Sequence, residues 1–182
     1  MTETRLVILG LGNVLCTDDG VGPAAVSRLW REWEAPPEVS VVDGGTLGLA
    51  LMPLLETVDE AILVDAVAVD GEAPGSRVRL EGDDIPPAVL HRLSPHQIGV
   101  ADLLDALRLL GRTPPQLILV GLVPESLGLG IEPTPAVAAA IPSLVDDIVG
   151  EALRLGHSFR RRPVHENPHP ASALSVFHAL GM

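Results

Sequence analysis

The chain has 182 residues, 47% of them hydrophobic and 20% charged, a length that folds as one domain and buries about 70% of the surface its unfolded form exposes. Twelve basic residues stand against 24 acidic ones, a net charge of −12, and a surface this acidic repels nucleic-acid phosphates. Every basic residue is Arg, so a phosphate-loop lysine and a Schiff-base lysine are excluded, while the single Cys16 excludes an internal disulfide and a four-thiolate zinc site.

Short apolar runs alternate with longer segments of helical spacing, the pattern of an α/β fold. Arg5 to Gly10 reads as a buried strand, and a loop from Leu11 to Gly20 follows. A helix is expected over Gly22 to Glu34, with Ala25, Val26, Leu29, Trp30 and Trp33 facing inward and Pro36-Pro37 ending it. Val39 to Asp43 is the second strand, and Thr46 is placed to cap a helix that runs through Leu55. Ala61 to Asp65 is the third strand, and Ser76 to Leu80 alternates as a less buried fourth. A helix over Ile98 to Leu110, a fifth strand over Gln116 to Gly121 and a long helix capped by Thr134 and reaching Leu155 complete the body. The expected architecture is a three-layer α/β/α sandwich with a mostly parallel five-stranded sheet over residues 1–156. Residues 157–182, with three consecutive Arg residues and several Pro residues, read as a tail with a short apolar helix over 171–180. No apolar run approaches the ~20 residues that span a bilayer and no signal peptide is visible, so a soluble, cytoplasmic protein is expected.

The first strand opens into Gly10-Leu-Gly-Asn-Val-Leu15. A dinucleotide fingerprint needs a third Gly where Leu15 stands and a helix directly after it. Here the loop continues through Asp18-Asp19, whose charges oppose a pyrophosphate. One aspartate at this point satisfies free N–H groups at the coming helix, and the second is left for other work. Asp65 and Asp43 close apolar strands at the carboxyl edge of the sheet, where open α/β sheets bind ligands, and Gly44 and Gly45 allow a close approach beside Asp43. His96 starts the helix near Ile98. Aspartate and imidazole together suit Zn²⁺ or Ni²⁺ and leave positions open for substrate. His165-Glu-Asn-Pro-His169 matches a zincin pattern by chance, because Pro168 forbids the helix that pattern needs. No G-x-S-x-G elbow exists. Cys16 beside two acids reads as a packing residue, and Glu125 follows the fifth strand as a cleft-lining candidate or a solvated loop acid.

Taken in order, Gly10-Leu-Gly-Asn-Val-Leu15, Thr17-Asp-Asp-Gly-Val-Gly22, Asp43-Gly-Gly-Thr46, Val64-Asp-Ala66, Ser94-Pro-His-Gln97 and Val120-Gly-Leu-Val-Pro-Glu125 resemble the nickel–iron hydrogenase maturation endopeptidases over about residues 5–155. The resemblance implies a peptidase that removes a C-terminal extension from the hydrogenase large-subunit precursor once nickel is in place. It maps the family's catalytic and metal-contacting triad onto Asp19, Asp65 and His96, with the nickel carried by the substrate. The first ligand is Glu in some members and Asp in others; Asp19 is shorter by a methylene, with Asp18 as a substitute. Asp18, Asp43, Gly44, Gly45, Gln97 and Glu125 are the candidates for substrate binding. A small metal-dependent hydrolase and a non-catalytic nickel-site chaperone are the competing readings.

Overall fold

The computed structural model describes residues 4–85 and 95–163, with only the helical backbone given for 95–98. Four parallel strands form most of one sheet: β1 (Leu6–Leu11), β3 (Val39–Gly45), β4 (Glu60–Ala66) and β6 (Gln116–Leu122). The fifth, β5 (Arg77–Glu81), runs antiparallel to β6 at one edge, so the strand order is β3-β1-β4-β6-β5. The five expected strands are all present in one mostly parallel sheet. Its central strands are apolar at nearly every position because both faces are covered. Leu6 and Ile8 of β1, Ile62 and Val64 of β4 and Ile118 of β6 meet one layer, formed by α1 (Val21–Glu32) and the last described helix, Pro135–Arg154. Val7, Leu9, Leu63 and Leu119 alternate onto the other layer. There α2 (Met52–Leu55) and α3 (Pro95–Leu109) pack, and the last helix is α4.

Three expected helices differ in extent, the first ending at Glu32 because Trp33 turns extended (φ −133°, ψ 151°) and Trp33–Glu34 leave it as a strand. Residues after β3 form only a 3-10 turn, Gly48–Leu51, and the single turn of α2; Gly45 and Gly48 take positive φ values of 47° and 50°, which no continuous helix passes through. Helix α3 begins at Pro95, earlier than expected, since a proline suits the first helical position. This brings His96 and Gln97 into its first turn.

The chain beyond residue 156, expected as a tail, begins by docking on the body. A short β7 (Arg160–Arg161) pairs antiparallel with β2 (Trp33–Glu34), a two-residue strand too short to leave a sequence period. The three consecutive Arg residues all find partners at the carboxyl end of α1. Arg160 pairs with Glu34, and the Arg161 guanidinium lies 5.6 Å from the centre of the Trp33 ring. Arg162 Nε donates to the carbonyls of Trp30 and Trp33, both at 3.1 Å, placing a cation where helix carbonyls are unpaired. Ahead of them His157 is buried, with Nε2 2.6 Å from Glu60 Oε2 and Nδ1 3.3 Å from Glu38 Oε1. The Glu38 carboxyl is held below its ordinary value, first by its own backbone N–H and then by this imidazole. The run over 165–169 and the helix expected over 171–180 lie outside the described residues.

Replacing His157 with Ala removes the imidazole from the buried Glu60 carboxylate. Thermal unfolding is expected to show a loss of about 2 kcal/mol, a charged hydrogen bond's worth, or roughly 4–8 °C in Tm for a domain of this size.

Candidate active site

The connection from β1 to β3 leaves to one side of β1, and β4 lies on its other side, so the crossovers diverge between β1 and β4. Ligands of open α/β sheets bind at the carboxyl ends of strands where such a divergence occurs. Both aspartates of the expected triad stand there. Asp65 is the penultimate residue of β4, paired with Gly121 of β6, and its Oδ1 accepts the Ala66 N–H at 2.7 Å. Asp19 lies in the 3-10 turn Thr17–Gly20, which packs against β4, and its Oδ2 accepts the Asn13 N–H at 3.0 Å. Each is only 1% exposed, and a carboxylate this buried is stable only when cations or donors surround it.

Two glycines let the loop lie this close. Gly12 has a φ of 131°, and a Cβ there would fall 1.8 Å from the Asp19 carbonyl oxygen. Gly22, in the first turn of α1, rests on two strands at once: its Cβ would meet the carbonyl oxygens of Leu11 at 2.2 Å and Val64 at 2.3 Å.

Asp18 has a different part. It is fully buried, and its two oxygens meet four donors: the N–H groups of Glu125 (2.8 Å), Ser126 (3.0 Å) and Thr134 (2.6 Å) and the Thr134 hydroxyl (2.9 Å). Thr134 is at the N-cap of α4, as expected, but its hydroxyl serves Asp18 instead of a helix N–H. Thr17 completes the seam. It has a φ of 40°, the one positive value among the described non-glycine residues, and a β-branched side chain makes that conformation costly. Its hydroxyl donates to Ser126 O at 2.6 Å and its N–H to Gly130 O at 2.7 Å, while Cys16 forms an isolated bridge with Gly130. The sequence carried no signal for this seam beyond the doubled aspartate, because its partners lie more than a hundred residues away.

The remaining candidates separate clearly. Asp43 is exposed at the end of β3; desolvation by the surrounding loops raises its carboxyl above the usual value, and the Gly45 N–H (3.1 Å) partly offsets this. It walls a cleft of about 260 Å³ with Val14, Thr17, Pro23, Ser27 and Ile131. Gly44 is buried beside it, and Gly45 turns the chain. Glu125 is exposed and reaches the site through its backbone N–H. His96 and Gln97 stand on the first turn of α3, whose Gly99 lies against Gly48 at this same edge. Among the described residues, which leave out the His96 side chain, no three His, Cys, Asp or Glu groups gather as a metal-holding set.

Burial pushes the Asp18 carboxyl up, but the N–H groups of Ser126, Thr134 and Glu125 and the Thr134 hydroxyl outweigh it and hold it below its ordinary value. A depressed folded value contributes stability that is complete above the ordinary range near pH 3.8 and fades as pH falls through the folded value. Asp18→Asn is therefore expected to cost about 2 kcal/mol at neutral pH, measured by urea unfolding. The gap between the two proteins should narrow in acid.

The sequence model of the family described as hydrogenase maturation protease matches residues 23–151. Hydrogenase 2 maturation protease of Escherichia coli (strain K12) is 36% identical over 163 residues, covering 89% of this chain and 99% of that protein. Hydrogenase expression/formation protein HupD of Rhodobacter capsulatus is 38% identical over 152 residues, covering 82% of this chain and 70% of the relative. The solved structure of hydrogenase maturating endopeptidase HybD from E. coli shares the fold with a TM-score of 0.83 at 36% identity, covering 87% of this chain and 98% of that one. A match over most of the sequence and a backbone shared with a maturating endopeptidase lead to one conclusion: the chain belongs to the hydrogenase maturation protease family.

Proposed function

We propose that this protein is the endopeptidase that removes a C-terminal extension from the large-subunit precursor of a nickel–iron hydrogenase, after nickel has been inserted. The observation that carries the reading is the pair Asp19 and Asp65, two aspartates almost wholly buried at the edge where the crossovers diverge. That edge lies in a chain of the maturation protease family.

Nickel arrives as part of the substrate. Asp19, Asp65 and His96 supply two carboxylates and an imidazole, a donor set that suits this borderline ion. The substrate's metal, held between its own ligands and these three side chains, fixes the scissile bond against the cleft and polarises its carbonyl. A carboxylate of the set takes the proton of the attacking water, and water adds across the peptide bond as the extension leaves. Without nickel the precursor lacks the group these residues recognise, so cleavage waits for loading. Asp43 and Glu125 stand at the rim with Gln97 as contacts for the extension. The same proposal places the work in the cytoplasm. No described helix is long and apolar enough to cross a membrane.

Intact mass of a nickel-loaded precursor, with and without the protein, tests the reading. A mass loss equal to a C-terminal peptide is expected, and none from precursor prepared without nickel. A mass that stays unchanged with nickel verified in place would sink the proposal. Asp19→Asn, Asp65→Asn and His96→Ala are each expected to slow processing by at least about 100-fold while circular dichroism reports a folded domain.

A further inference from the structure

Among the described residues, most of the exposed large apolar side chains stand on loops that leave the carboxyl ends of strands. Val14, Leu15, Leu47, Leu49, Leu129 and Ile131, from the loops after β1, β3 and β6, are between 41% and 91% exposed. These loops are tied side by side. Gly12 N–H donates to Gly45 O at 3.0 Å, and Gly130 N–H donates to Leu15 O at 3.0 Å. Val14 and Ile131 also line the cleft, so the collar and the cleft are continuous. Residues 12–17, 44–51 and 126–131 contain not one charged side chain in a chain of net charge −12, and the exposed acids Asp43, Glu125 and Glu132 border them. A contiguous apolar surface facing water carries a solubility cost, and one bordering a site marks docking.

We infer that this neutral collar is the docking surface for the folded large-subunit precursor, meeting an apolar, uncharged area around the segment to be cut. The inference rests on the proposed function and adds how the partner is held. One observation favours this occupant. A second copy of the chain seated on the collar would close the cleft that a protein substrate must enter. The collar supplies affinity by burying apolar area, and the absence of charge gives a partner's neutral surface nothing to desolvate without compensation.

The test is the triple variant Leu15→Ser/Leu49→Ser/Leu129→Ser, whose side chains stand clear of the cleft lining, compared with the parent and with Leu153→Ser, an exposed leucine on α4. Binding of nickel-loaded precursor is measured by biolayer interferometry, processing by intact mass, and association state by sedimentation. The triple variant is expected to raise Kd and KM by at least about tenfold, with kcat held within about twofold and Tm within about 2 °C; Leu153→Ser leaves all four unchanged. Unmoved Kd and KM in a parent that cuts would overturn the collar and leave the protease reading standing. Equal weakening by Leu153→Ser would also overturn it, as general stickiness. A parent dimer that the triple variant dissociates, with precursor binding unmoved, would assign the collar to a second copy. Collar-dependent binding with no change in precursor mass would support the docking surface and remove the protease reading. A parent that neither binds nor cuts removes both.

Discussion

Asp18 commits both carboxylate oxygens to groups more than a hundred residues along the chain, and the loop after β1 keeps its shape through them. A carboxylate is the side chain for this task because it only accepts and has about four acceptor positions. Three of its donors are backbone N–H groups at the start of the loop after β6 and at the N-cap of α4, which no regular element satisfies there. The loop after β1, the loop after β6 and the start of α4 are therefore tied into one body. The unfavourable backbone of Thr17 persists inside that body because its hydroxyl and N–H are both held by the 126–130 segment.

The neighbouring aspartate gains from this rigidity. Asp19 follows Asp18 directly, so a seam that fixes one fixes the backbone of the other. Gly12 and Gly22 then allow that backbone to press against β1 and β4 where any side chain would collide. Two adjacent residues of the same chemistry thus divide their work by position alone, Asp18 toward the protein and Asp19 toward the edge of the sheet. Asp65 needs no comparable device, since the sheet itself holds it in register beside Gly121. A loop residue and a strand residue reach one edge with comparable burial, the first by hydrogen bonds and glycine contacts and the second by the ladder.

The sheet was legible because burial on both faces forces nearly continuous apolar runs, and Leu6–Leu11, Glu60–Ala66 and Gln116–Leu122 are such runs. Their ends made Asp65 visible, since an acid closing a buried strand stands at the edge where ligands bind. The Asp18-Asp19 pair announced that one member was structural, but not by what contact, as the donors come from residues 125–134 and leave no local pattern. The Gly48–Leu55 segment misled because its apolar spacing is helical while its glycines are not. Arg160 to Arg162 misled in another way. Consecutive cations resemble a solvated tail until a glutamate, an indole face and open helix carbonyls are brought opposite them by tertiary structure.

The two ends of the sheet are consequently built on opposite terms. At the amino end, where β3 and β4 begin, His157 lies between Glu38 and Glu60 and the following arginines close over the end of α1, so charged groups there are matched within the chain. At the carboxyl end residues 12–17, 44–51 and 126–131 carry no charge, and their exposed apolar side chains stand beside the rim acids Asp43 and Glu125. Ion pairs satisfied internally have little to offer a partner, whereas uncovered apolar area beside a cleft lowers its free energy only when something covers it. The net charge of −12 adds long-range repulsion between copies of the chain. On the proposed docking, repulsion and recognition fall to different parts of one small surface, and a partner with a neutral, apolar face gains by covering the second.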